Sequence, residues 1–296
     1  MKPIGNINLN GFIQYHVIWA DQSSSVDCLK SFIRDGDEKR LVNGFEYVDV
    51  HCHLDDTIFD HDRDAVVERV KDILILCASQ EPNSSRKVLS LARRYPNVRA
   101  CLGLHPEFVP NLTDRDIEDE IGFIAGSADS IVAISEIGLD YHWIKDDVQR
   151  KKIGDVFNTM LELATRLKLP IIVHSREATG DVLRAVSHFR CPIVLHSFSG
   201  SLEEIEIAIN RGHYLSVAPS IYRSKQKQEL VTIAPLEQLL TESDSPVLGI
   251  DRNVRNEPAS VKKVITKIAE IKDIDELHVK KVMMENFHKI FPNEWT

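Results

Sequence analysis

From residue 47 onward, short apolar runs alternate with longer amphipathic stretches. The runs are Tyr47–Val50, Ile73–Cys77, Val98–Leu102, Ile131–Ile134, Ile171–Val173, Ile193–Leu195, Tyr214–Val217 and Leu239–Leu240. They are rich in β-branched residues and carry few polar positions, as expected of strands buried on both faces of a parallel sheet. In the clearest intervening stretch, Val148–Leu167, the residues Val148, Phe157, Met160, Leu161, Ala164 and Leu167 recur at near-helical spacing. Pro170 marks the entry to the next strand. Arg86–Tyr95 and Ala259–Glu270 have the same helical pattern. Eight strand-and-helix units predict an α/β (β/α)8 barrel with its chemistry at the C-terminal ends of the strands. An open doubly wound sheet is the rival, but it usually has a glycine-rich loop after its first strand. Here that strand runs into His51-Cys52-His53-Leu54-Asp55-Asp56.

Residues 1–46 stand outside this rhythm. "GFIQYHVIWA" suggests an extra strand and Ser24–Arg34 a short helix. The expected organisation is an N-terminal extension over 1–46, packed on a barrel over 47–296, rather than a second domain.

Composition narrows the class. With 43% hydrophobic residues in 296, the chain can bury a large core. A net charge of −9 argues against coating duplex nucleic acid through a broad basic surface. It does not oppose a local site that grips one phosphate. The five cysteines (Cys28, Cys52, Cys77, Cys101 and Cys191) are scattered and form no C-x-x-C pair. That fits a reducing compartment and opposes a thiolate zinc site. No apolar run is long enough to span a bilayer, and no signal-peptide pattern opens the chain. The expectation is a cytoplasmic monomer with no membrane and no stable protein partner.

Polar residues sort by position. His51 and His53 follow strand 1, His105 strand 3, Glu136 strand 4, His174 strand 5, His196 strand 6 and Asp244 strand 8. In a strand, residues two apart point the same way, so His51 and His53 can face one ion while Cys52 faces away. Imidazole and carboxylate donors without thiolate suit zinc, manganese, cobalt or iron better than calcium. Magnesium prefers oxygen ligands, though it can serve as an activating ion. Four histidines and two carboxylates exceed one tetrahedral site and suit two divalent ions sharing a carboxylate. Such a pair would activate a water and steady both oxygens of a displacement.

These motifs resemble the TatD family of metal-dependent hydrolases, in the amidohydrolase superfamily. The segments that carry the resemblance include "DVHCHLDD", "GLHPEF", "SEIGLDYHW", "LKLPIIVHSREA", "IVLHSFSGS", "LLTESDSPVL", "RNEPASV" and "ENFHKIF", in the family's order between about Tyr47 and Pro292. The resemblance implies a distorted TIM barrel. It implies that His51 and His53 hold a first metal, that Glu136 bridges two, and that His174 and His196 hold the second. Asp244 would bind the first metal and deprotonate the water. His105 would contact a substrate phosphate, and Arg176 is a further phosphate-contact candidate whose alternative is a structural ion pair. Asp140 would hold the Glu136 loop. Ser135, Ser197 and the run Ser243-Asp244-Ser245-Pro246 depart from the usual pattern without removing a ligand.

The implied activity is a deoxyribonuclease, a 3′–5′ exonuclease on single strands, with two divalent ions (Zn, Mn, Co or Mg) and a DNA or nucleotide phosphodiester substrate. Two alternatives stay open. One is ester or amide hydrolysis, such as removal of D-amino acids from tRNA; the other is a non-catalytic metal-binding scaffold. The remaining residues take plainer readings. His16, His61, His142, His188, His213, His278 and His288 match no ligand position, although His61 and His142 lie in loops at the site end. Trp143 and Tyr222 can stack a base but are expected to pack. The charged runs Asp114–Glu120 and Lys225–Glu229 are expected to be solvated helix faces.

Overall fold

The computed structural model describes residues 44–291. The expected extension over 1–46, all but its last three residues, lies outside the described residues, as does His16.

Eight strands form one parallel sheet in chain order. They are β1 (Tyr47–Cys52), β2 (Ile73–Ala78), β3 (Val98–Leu102), β4 (Ala133–Gly138), β5 (Ile171–His174), β6 (Ile193–Leu195), β7 (Tyr214–Val217) and β8 (Leu239–Thr241). Helices follow the strands: α1 (Arg63–Glu68), α2 (Pro82–Arg94), α3 (Asp114–Gly126), α4 (Asp147–Leu167), α5 (Thr179–Ala185), α6 (Leu202–Asn210), α7 (Lys225–Ile233), α8 (Val261–Lys272) and α9 (Glu276–Ile290). Hydrogen bonds join the seam between β8 and β1. Thr241 Oγ1 donates to the Val48 carbonyl at 2.7 Å, the Asp244 amide to His51 at 2.9 Å and the His53 amide to Ser245 at 2.8 Å. The result is the expected TIM barrel, nearly closed.

Local chemistry sets the elements. In α4, Asp146 caps the N-terminus by accepting from the Gln149 amide at 2.9 Å. Its face of Ile153, Val156, Phe157, Met160, Leu161 and Ala164 is buried. At its end Lys168 turns left-handed, with φ 57°. Two charged runs depart from a simple solvated reading. Glu120 of α3 is buried and ion-paired with Arg86, and Lys227 of α7 is buried as well. Among the described residues no helix is long and apolar enough to cross a membrane.

The strands bury two faces, and two separate apolar clusters record this. Ile73, Ile75, Cys77, Val98, Ala100, Ile171, Val173, Ile193 and Leu195 pack with the helices. Val48, Val50, Leu74, Leu76, Cys101, Ala133, Ile172, Val194 and Leu240 form the inner cluster. Phe287, Ile290 and Phe291, at the end of α9, join the inner cluster.

Two strands break their alternation. In β1, Val48 and Val50 belong inside, yet Cys52 and Leu54 belong with the helices. The pairing with β2 slips between Asp49 and Cys52, which changes the phase by one residue. In β4, Ile134 and Ile137 are three apart and both face the helices, across a slip in the pairing with β5. Both slips re-aim side chains, so that His51, His53 and Glu136 turn inward. Gly103 makes room for the second slip, because a Cβ there would lie 2.6 Å from the Ser135 carbonyl carbon.

Candidate metal centre

The regular strands deliver their site residues by alternation alone. On β5 the inner series is Ile172 then His174, on β6 Val194 then His196, and from β8 Leu240 then Glu242, after which a left-handed turn at Asp244 (φ 50°) brings its carboxylate to the same place. On β1 and β4 the slips deliver His51, His53 and Glu136 to the same place. Gly138, with φ 143°, lets β4 pass β5 closely; a Cβ there would sit 2.0 Å from the His174 carbonyl oxygen.

Glu136 is the hub. Its Oε2 lies 3.3 Å from His51 Nε2 and 3.5 Å from His53 Nε2. Its Oε1 lies 2.8 Å from His174 Nδ1, 3.4 Å from His105 Nε2 and 3.8 Å from His196 Nε2. Asp244 Oδ1 faces His53 Nε2 at 3.6 Å, and His51 and His196 Nε2 at 3.8 Å each. Three groups of donor atoms each fall within 4.8 Å: His51, His53 and Glu136; His51, His196 and Asp244; His105, Glu136 and His174. The structure thus brings together all six expected ligands. It also sets His105 against Glu136 and His174 rather than apart from them.

The donor set fits divalent cations on a physical ground. His51 is fully buried, and among the described residues neither ring nitrogen has a hydrogen-bond partner. A buried imidazole without a partner costs stability unless something else takes its lone pair. The lone pairs of four further imidazoles and two carboxylates converge on the same space.

Carboxylates behind the cluster orient two of the imidazoles, an arrangement typical of metal-bound histidine. Asp140 Oδ2 meets His174 Nε2 at 2.8 Å, and Glu242 Oε2 meets His196 Nδ1 at 2.8 Å. Asp140 was expected to hold the Glu136 loop; it holds His174 directly, and its Oδ1 accepts from the Trp143 amide at 2.7 Å. Glu242 was not anticipated, although the period-two series through Leu240 and Asp244 points to it. Ser216 Oγ also donates to Glu242 at 2.5 Å. His53 is held by backbone instead, with Nδ1 3.0 Å from the Ala78 carbonyl.

The electrostatics divide the same way. Burial, with the His196 imidazole nearby, pulls His51 down to about 4. Burial opposes charge on His174 and His196 too, yet Asp140 and Glu136 hold His174 up at about 9. Glu242 and Asp244 hold His196 up at about 10. Burial also works against Glu136, but His105 and His51 keep its carboxyl well below the usual range. Burial pushes Asp244 up to about 6, against the pull of His196 and His53.

The cluster floors a cleft of about 510 Å³. Arg176 and Trp143 line it, with the guanidinium 5.6 Å from the indole centroid. Trp143 is 57% exposed, so it does not pack as expected. Tyr222 does pack, with its hydroxyl donating to the Lys263 carbonyl at 3.0 Å. His142 pairs with Glu177 at 2.7 Å, and His61 lies 3.8 Å from Asp62; neither lines the cleft. Lys227 does line it and was not anticipated.

Comparison with known proteins agrees with this geometry. A family profile described as "TatD related DNase" matches residues 48–292. The chain is 33% identical to human deoxyribonuclease TATDN3 over 262 residues, covering 84% of this chain and 96% of that protein. It is 35% identical over 248 residues to an uncharacterized metal-dependent hydrolase of Methanocaldococcus jannaschii, covering 83% of this chain and 97% of that one. Among solved structures, the TatD homologue YjjV of Escherichia coli K12 superimposes with a TM-score of 0.77 at 27% identity, covering 83% of this chain and 98% of that chain.

Proposed function

This chain belongs to the TatD-related DNase family of metal-dependent hydrolases, and from that premise we propose that it hydrolyses phosphodiester bonds of DNA with two divalent cations. The observation that supports this reading is the convergence of four ligand imidazoles on Glu136, whose two oxygens face different sets of them. In the proposed arrangement His51, His53 and Asp244 would hold one ion, His174 and His196 would hold the other, and Glu136 would serve both. When bound, such ions supply Lewis acidity that lowers the pKa of a water and offsets phosphate charge.

The chain's own residues do the rest. Asp244, set against His51, His53 and His196, accepts the proton of the attacking water. His105, buried beside Glu136 and lining the cleft, donates to the substrate phosphate. Arg176 meets a phosphate further out along the rim, where it lines the cleft beside Trp143. A net charge of −9 and a cleft of about 510 Å³ favour a single strand entering a local site over a duplex gripped along its length. Trimming of single strands from the 3′ end is the finer reading, taken from the family resemblance.

The test is a metal-reconstituted activity panel of single-stranded DNA labelled at either end, RNA, D-aminoacyl-tRNA and simple phosphodiesters. Shortening of DNA from its 3′ end, abolished by chelation, is the expected result. Turnover of the aminoacyl ester with inert DNA would sink the proposal.

A further inference from the structure

Lys227 is where α7 departs most from its sequence pattern. The residue sits in a charged run, yet it is only 8% exposed. Its side chain lines the cleft floored by Glu136, His196 and Asp244. It has two hydrogen bonds, both to one residue: Nζ donates to Ser197 Oγ at 2.6 Å and to the Ser197 carbonyl at 3.0 Å. Among the described residues no carboxylate lies within ion-pairing distance of it. An ammonium has three donors, so one N–H is left without a protein acceptor.

Burying an ammonium without a hydrogen-bonded carboxylate is unfavourable, and burial pushes Lys227 down from its ordinary pKa against the attraction of Glu242 and Asp244 nearby. A helix face open to water imposes no such cost. The position of the charge offers a reason for it. Ser197 directly follows His196, so Lys227 stands beside the ligand cluster and on the same cleft.

We infer that Lys227 is an anion-binding residue of the cleft, whose spare N–H donates to an oxygen of the phosphoryl group under attack. This rests on the phosphodiesterase reading for its substrate, but the anion site can be tested without any DNA. The bond is charge-assisted on both sides, and its removal is expected to weaken binding about 10- to 100-fold.

The experiment is calorimetric titration of inorganic phosphate into manganese-loaded protein, with ion stoichiometry and Tm measured on each variant. Lys227→Met is expected to weaken phosphate binding by that factor and to raise KM for an oligodeoxynucleotide, with ion stoichiometry unchanged. Lys227→Arg is expected to recover most of the binding, which also keeps the test open if the methionine variant does not fold. Unchanged phosphate affinity in a folded, metal-loaded Lys227→Met protein overturns the inference, as does an arginine variant that binds no phosphate while keeping its ions. If wild type binds phosphate through Lys227 but cleaves no DNA, the proposed substrate fails and the anion site stands.

Discussion

The two halves of the metal centre are built differently. On β5 and β6 the strand alternation runs unbroken into His174 and His196, and buried carboxylates fix each ring from behind. On β1 and β4 the alternation slips before the site, and among the described residues no carboxylate hydrogen-bonds the Nδ1 of His51 or His53 from behind. One half gains its aim from regular pleating and its charge from Asp140 and Glu242. The other gains its aim from irregular backbone and keeps His51 neutral at about 4. The difference teaches that one ring of ligands can hold two distinct proton states before any cation arrives.

Glu136 is the residue the halves share, and Glu136→Ala is the largest expected effect. It should lower turnover by roughly 10³-fold or more, ~4 kcal/mol of barrier. It should also lower ion stoichiometry on both halves, as read by elemental analysis beside initial rates. Loss of one ion with the other retained at full affinity would show that the halves are not joined through this carboxylate.

A pH titration probes the contrast in charge. His174 at about 9 and His196 at about 10 are protonated at neutral pH in the ion-free protein. Coordination needs neutral imidazole, so filling the β5/β6 half should release about two protons at pH 7. His51 should release none. Affinity of that half should therefore climb with pH, by up to ~100-fold per unit while both rings are protonated, and level off above about 10. Calorimetry in buffers of different ionisation enthalpy counts the protons. Equal release from both halves would remove the distinction.

The regular half was also the legible half. Runs such as Ile193–Leu195 and Val98–Leu102 match the observed strands because both faces are apolar and the boundaries are abrupt. His174 and His196 continue those strands in phase. In the irregular half the shared face of His51 and His53 was legible, but the slips that aim them and Glu136 were not. The run ending at Ile134 stopped short of Glu136, because a polar Ser-Glu pair inside a strand looks like its end, whereas β4 runs to Gly138. A slip leaves no periodic trace: in β1 the segment "VHCHL" alternates whether or not its phase changes. Lys227 escaped for the opposite reason, since a basic run at a helix start looks solvated until its neighbours are known. Trp143 escaped because an indole is ordinarily assigned to the core.

Removing the carboxylates sharpens the contrast with a smaller effect. Glu242→Gln and Asp140→Asn keep the shape and drop the charge that orients His196 and His174. Each should cost about 10- to 100-fold in affinity for the ion on the β5/β6 half or in turnover. Each should lower the pKa of its histidine, by removing a carboxylate that holds it up, and so reduce proton release. NMR titration of the ring resonances reads this directly. A histidine still titrating at its original pH in Glu242→Gln would assign the charge elsewhere.

The smallest effect is expected at Asp49, a buried acid on β1 itself. Its Oδ1 accepts from the Ser243 amide at 2.7 Å and the His51 amide at 3.4 Å, while Oδ2 has no partner among the described residues. Burial pushes its carboxyl well above the usual range, despite those amides. A carboxyl raised on folding binds a proton that the unfolded chain gives up. Its contribution to stability is therefore present at low pH and declines as pH rises past the ordinary carboxylate value toward the folded one. Asn keeps the accepting oxygen and needs no proton. Asp49→Asn should therefore hold ion affinity within about threefold of wild type. Its Tm at pH 8 should be equal or higher, with a flatter dependence on pH above 5. Thermal melts across pH, paired with ion titration, measure both. A large loss of ion affinity would mean that Asp49 is charged and serves the β1 side as Glu242 serves β6, and the two halves would then be built alike.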